Sequence, residues 1–240
     1  MDDPKASLAI LPPRHESYLL EAQRLQALYE PQIHLIIAFE AEYIRPDLGP
    51  HVHRLASNPL VDYFIGSVHH VHSIPIDFDK ATYQRAVEAS AGSEERLYGD
   101  YYDLQLLMLR DLKPRVVGHF DLIRLMSDEP GRDVREWKGV WEKIVRNLEV
   151  VKETGGWLEC NSAALRKGLE EPYPCRAIAE VSQPTACLRF PYTNSVIGVA
   201  QDGGQVHHVG RQPRHRTGRD ELLPRADVPR EHGRERGLDV

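Results

Sequence analysis

Cysteine is scarce in this 240-residue chain: Cys160, Cys175 and Cys187 are odd in number and show no CxxC spacing. That excludes a disulfide framework and points to a reduced, cytoplasmic protein with buried thiols. Long apolar runs are missing too, so no membrane span is expected. A surplus of positive charge is also lacking. The 30 Lys and Arg against 36 Asp and Glu leave a formal net charge of −6, which argues against a nucleic-acid or membrane partner, since either favours a basic face. The opening residues, MDDPKASLAILPPRHE, start with acids and lack the basic stretch and long apolar core of a signal peptide. There is no GxSxG elbow, no P-loop and no GxGxxG after a strand.

What is present is an alternation of two hydrophobic periods in a chain of ordinary globular composition, 41% hydrophobic and 28% charged. Tyr18, Ala22, Leu25 and Tyr29 recur at helical spacing and predict an amphipathic helix from Glu16 to Glu30, ended by Pro31. The run IHLIIAF, Ile33 to Phe39, suits a strand buried on both faces. A second strand is predicted over Val61–Val68 (VDYFIGSV), helices over 79–90 and 99–112, and a short strand over Arg115–Gly118. Val134, Trp137, Trp141, Ile144, Leu148 and Val151 mark the clearest amphipathic helix. Gly155 and Gly156 stop it, before a fourth strand at Trp157–Cys160. This order predicts an α/β fold with a mainly parallel sheet and helical crossovers. Pattern alone leaves barrel and open sheet as alternatives.

Three candidate metal ligands share one address. Glu40 follows the first strand, His69 ends the second, and His119 follows RVVG. In parallel α/β folds the C-terminal strand ends face a common rim, where sites are built. A carboxylate and two imidazoles meeting there could hold Zn, Mn or Fe. Asp121, two residues beyond His119, could orient an imidazole from behind. A single histidine near a strand end is more often an ordinary hydrogen-bonded residue; three at equivalent addresses strengthen the metal reading. His51 and His53 fall in a Gly/Pro-rich loop, and His207 and His208 in the tail. His70 should point away from His69 if the strand continues, and His72 reads as a loop residue. Cys160 reads as a small buried hydrophobe. Arg166 and Lys167 would suit an anionic substrate group, though a solvated helical turn explains them equally well.

GSVHHVHSIPIDFD, Gly66 to Asp79, closely resembles a segment of the fungal histidinol-phosphate phosphatases of the PHP (polymerase and histidinol phosphatase) superfamily. IIAFEAEYIRP resembles that family's strand with a metal-binding glutamate, VVGHFDLIR its metal-histidine strand, and WLECNSAALRKG its late strand and turn. The likeness runs from about Tyr18 to Pro174. It implies a distorted (β/α)7 barrel with a trinuclear metal centre at the C-terminal rim. The implied reaction is hydrolysis of L-histidinol phosphate to L-histidinol and phosphate, in histidine biosynthesis. Glu40, His69 and His119 match metal ligands, whose divalent ions (Mn, Zn or Fe) would polarise the phosphoryl oxygens and supply hydroxide near neutral pH. Arg166 matches a phosphate-side contact. A PHP-type nuclease lacks support, because no basic patch is present.

The departures from the family are at both ends. No HxHxH strand precedes Glu40. In TNSVIGVAQ, Thr193 to Gln201, the residues Gly198, Ala200 and Gln201 match, but Ser195 and Ile197 stand where an Asp-x-His pair is expected. Lys167 is the last lysine and Tyr192 the last aromatic residue, and a Gly-, Arg-, His- and Pro-rich sequence follows. Such a segment buries too little surface to offset its ordering entropy. The expectation is therefore a lead-in over 1–15, an incomplete PHP barrel over 16–192, and a divergent, disordered tail over 193–240 that suggests a frame shift or altered splice. Under-occupied metal sites and little or no phosphatase activity from this chain alone follow from that expectation. The rival reading is a non-catalytic truncated remnant or protein-binding module.

Overall fold

Three helical crossovers join four parallel strands, as the alternation of periods requires. The computed structural model describes residues 4–182 and 196–198. Its elements are α1 (Pro4–Tyr29), β1 (Ala38–Glu42), α2 (Gly49–Ala56), β2 (Tyr63–Ser67), β3 (His70–Val71), β4 (Ile74–Pro75) and α3 (Lys80–Ala89). They continue with α4 (Glu94–Leu112), β5 (Val116–Val117), α5 (Lys138–Glu153), β6 (Trp157–Glu159), α6 (Ala163–Arg166), α7 (Arg176–Ser182) and β7 (Val196–Gly198). Among the described residues the main sheet has the order β1-β2-β5-β6-β7. Neighbours from β1 to β6 run parallel, and β7 lies antiparallel to β6. β7 falls within 193–240; the rest of that segment, with His207 and His208, and Cys187 before it lie outside the described residues. No helix among the described residues is long and apolar enough to cross a membrane.

The first strand begins later than its apolar run suggests. Pairing starts where Ala38 faces Tyr63. Just before it, the Asp62 amide donates to the Ile37 carbonyl at 2.9 Å and the Asp62 carboxylate accepts from the Ile37 amide at 2.7 Å. Ile33 and Ile36, ahead of this point, remain exposed. The register of α1 differs too. Tyr18, expected to face inward, is 42% exposed, and its neighbour Leu19 is the buried anchor. The Tyr18 hydroxyl instead donates to the carbonyl of Ala38 on the outer edge of β1. His51 and His53, expected in a loop, lie in α2, because Pro50 in the first turn fixes a helical φ and offers no amide that needs a partner.

The core is built chiefly by α4 against α5 and the sheet. Tyr101, Tyr102, Met108, Leu109 and Leu112 of α4 meet Val140, Ile144, Leu148 and Val151 of α5, all buried. A polar ladder crosses this interface. Asn147 donates to the Tyr102 carbonyl and to Gln105 Oε1, and Gln105 donates to the Phe120 carbonyl at 2.9 Å. Tyr101 donates to the same carbonyl. Helix packing thereby fixes the segment beside His119.

Gly66 is required where β2 crosses α4. A Cβ there would lie 2.8 and 2.9 Å from the Pro114 ring and 3.1 Å from Met108 Sδ. The Gly66→Ala variant is expected to lose about 1–3 kcal/mol, because the rigid proline must shift to admit the methyl group. Urea denaturation measures the loss; an unchanged midpoint would contradict the packing argument.

Candidate metal centre

The parallel register brings three side chains to one point. Glu40 lies in β1 opposite Ile65, His69 follows β2 by two residues, and His119 follows β5 by two. Glu40 Oε1 is 3.2 Å from Nε2 of His69 and 3.2 Å from Nε2 of His119. The two imidazoles stand edge to face, with ring centroids 4.6 Å apart. One donor atom from each of the three residues lies within 4.8 Å of the others.

Charge accumulates around this point. Hydrogen bonds from His119 and His69 hold the Glu40 carboxyl far below the usual carboxylate range, against the opposing effect of burial. Burial disfavours a charged His69, but its hydrogen bonds to Asp77 and Glu40 outweigh that and raise its pKa to about 10. Burial likewise opposes ionisation of Asp77; the bond to His69 and the nearby Lys167 leave its pKa below the ordinary value.

The donor set fits a divalent ion. Metal–ligand bonds of about 2.0–2.2 Å in tetrahedral geometry put donor atoms roughly 3.3–3.6 Å apart, close to the two 3.2 Å separations. Oxygen and imidazole donors together suit Zn, Mn or Fe. His69 also has the support expected of a ligand, since Asp77 Oδ2 lies 3.1 Å from its Nδ1 and directs Nε2 toward Glu40.

Asp77 was not foreseen. It reaches His69 because β3 and β4 pair as a tight hairpin whose turn residues, His72 and Ser73, have φ of +53° and +61°. These angles suit a two-residue hairpin turn normally marked by Asn or Gly, so His-Ser carries no sequence signal for it. His70 pairs with Glu42 and stands outside the converging donor set. His72 bonds Ser90 Oγ and Asp100 Oδ2 at 3.2 and 2.9 Å.

Asp121 is placed differently from expectation. Its Oδ2 accepts from Arg124 Nε at 2.9 Å and from the Cys175 amide at 2.8 Å, and its Oδ1 has no hydrogen-bond partner among the described residues. The buried arginine three residues on captures the carboxylate, so Asp121 ties loops together and bonds no imidazole among the described residues. Arg166 Nη1 donates to Ser162 Oγ at 3.3 Å on its own helix. Cys160 is half-buried at the end of β6, and burial pushes the Cys175 thiol upward in pKa.

Fold and donor set together define an α/β protein with a candidate cation site built from a mid-strand carboxylate of β1 and two imidazoles just beyond the C-terminal ends of β2 and β5. Residues 14–163 match the PHP domain family, and the chain belongs to that family. It is similar to the probable histidinol-phosphatase of Schizosaccharomyces pombe, with 41% identity over 167 residues that cover 69% of this chain and 55% of that protein. It is also similar to the histidinol-phosphatase of Saccharomyces cerevisiae, with 30% identity over 227 residues that cover 84% of this chain and 68% of that protein. The chain thus spans about half the length of the first relative and two thirds of the second.

Proposed function

We propose that the protein is a metal-dependent phosphomonoester hydrolase of the histidinol-phosphatase type, acting on L-histidinol phosphate in histidine biosynthesis in the cytoplasm. The observation that carries this reading is the convergence of Glu40 with the Nε2 atoms of His69 and His119, each at 3.2 Å. The PHP match and the two relatives named histidinol-phosphatase support the substrate class. In this reading the parallel sheet of the described residues belongs to an incomplete, distorted (β/α)7 barrel assigned to 16–192.

Glu40, His69 and His119 would hold the divalent ion, Mn, Zn or Fe by the donor set. When bound, such an ion polarises a phosphoryl oxygen and provides a nucleophile at neutral pH. The protein supplies geometry and charge. Asp77 fixes the His69 ring through Nδ1, leaving Nε2 for the site. Glu40 contributes the negative charge that makes the pocket select a cation. Arg166 and Lys167 end the turn after β6 and serve the phosphate side, with Lys167 close enough to lower the Asp77 pKa.

The test measures binding of L-histidinol phosphate by calorimetry and release of inorganic phosphate, both with added Mn or Zn. Turnover by this chain alone is expected to be low. The reading predicts metal-dependent binding of the ester, and phosphate release that disappears with a chelator and in His119→Ala. Absence of both binding and release, or release indifferent to His119→Ala, would sink it.

A further inference from the structure

His69 and His119 meet the same carboxylate but are held in different ways. His69 is gripped through its ring, because Asp77 takes Nδ1. His119 has no such support: its Nδ1 is buried and has no hydrogen-bond partner among the described residues. The direction of this ring therefore depends on its main chain. That main chain is unusual, with a φ of +24°, outside the regions a non-glycine residue ordinarily occupies. Backbone of this kind persists only where its surroundings over-determine it.

Two hydrogen bonds pin the residue. The His119 amide donates to Glu159 Oε2 at 3.0 Å, and the His119 carbonyl accepts from the Leu122 amide at 2.9 Å. The preceding residue leaves room for nothing larger. A Cβ on Gly118 would lie 2.5 Å from Ser67 Oγ and 3.6 Å from Glu159 Oε2. Glu159 itself is the last residue of β6, next to β5 in the sheet. Its carboxylate reaches the amide from a strand and not from a loop, and a charged acceptor makes the stronger hydrogen bond. Glu159 does not belong to the converging donor set, which is Glu40, His69 and His119.

We infer that Glu159 is a positioning residue for the metal centre: it holds the His119 backbone so that Nε2 meets Glu40 and the ion. It does through the main chain what Asp77 does through the ring of His69. This role rests on the reading of Glu40, His69 and His119 as a metal site.

The full chain is titrated with Zn in competition with a chromogenic chelator, comparing wild type with His119→Ala, Glu159→Ala and Glu159→Gln. Loss of an outer partner typically weakens metal binding by about 10–100-fold, and that is the drop expected for Glu159→Ala. Glu159→Gln retains an oxygen that can accept from the amide and should stay close to wild type. Wild-type affinity in Glu159→Ala, with binding lost in His119→Ala, would overturn the inference alone. An equal loss in Glu159→Gln would also overturn it, by making the charge or direct ligation the operative property. Wild-type affinity in His119→Ala would remove the metal site and this role with it. Hydrogen exchange gives a readout independent of the folding of any variant: the His119 amide should be protected in the wild type, and fast exchange there contradicts the inference.

Discussion

Glu40→Ala is expected to abolish tight divalent-metal binding while leaving the fold intact. Glu40 Oε1 is the one atom shared by both imidazoles, at 3.2 Å from each Nε2. Without it, two neutral-capable rings remain with no negative charge between them, and Coulomb attraction for a cation falls at the point where it is needed. The drop should exceed the ~10–100-fold typical of losing a partner behind a ligand. Glu40 is half-exposed on β1, so its removal opens no core cavity and the denaturation midpoint of the metal-free chain should move little. Chelator competition reads the affinity and urea denaturation the stability. Near-wild-type affinity in the variant would place any bound metal elsewhere.

Arg124→Ala is expected to have the largest effect on stability. The Arg124–Asp121 pair is buried, with side chains only 7% and 3% exposed. Arg124 also donates to the carbonyls of Glu171 and Pro172, and its guanidinium lies 5.0 Å from the Tyr173 ring. Truncation leaves the buried Asp121 carboxylate without its positive partner, holding only the Cys175 amide, and two carbonyls without this donor. Breaking one side of a buried pair costs about 3–5 kcal/mol. Removing both partners leaves no buried charge, so Asp121→Ala in the Arg124→Ala background should recover part of the loss. The loss should reach the metal centre too, because Tyr173 packs against His119 with ring centroids 6.3 Å apart. Additive losses in the double variant would show that the pair does not act as a unit.

The sequence carried the positions of His69 and His119 because strand ends in a parallel fold share a rim; Glu40, expected after its strand, lies within β1 and reaches both rings from mid-strand, because pairing begins at Ala38 and not at the start of the apolar run. The sequence could not place the residues that support them. Asp77 reaches His69 through a hairpin whose His-Ser turn lacks the usual glycine or asparagine. Glu159 acts on a backbone amide one strand away, an interaction with no side-chain signature. Asp121 sits two residues from His119, a spacing that suggested support for the ring; a competing arginine decided its partner. In the same way α2 replaced a loop around His51 and His53, since Gly and Pro at a helix start resemble Gly and Pro in a turn. Tyr18 sits at the sheet edge, its hydroxyl on the Ala38 carbonyl, and Leu19 is the residue of α1 that the fold buries, a one-residue shift that the spacing of the aromatics does not reveal.

The central claim, that Glu40, His69 and His119 bind a divalent metal, is tested most directly by anomalous diffraction from crystals grown with Zn or Mn. The account predicts a peak within bonding distance, about 2.0–2.2 Å, of Glu40 Oε1 and of Nε2 of His69 and His119. A metal peak elsewhere, or intact hydrogen bonds among the three residues with no peak between them, would contradict it.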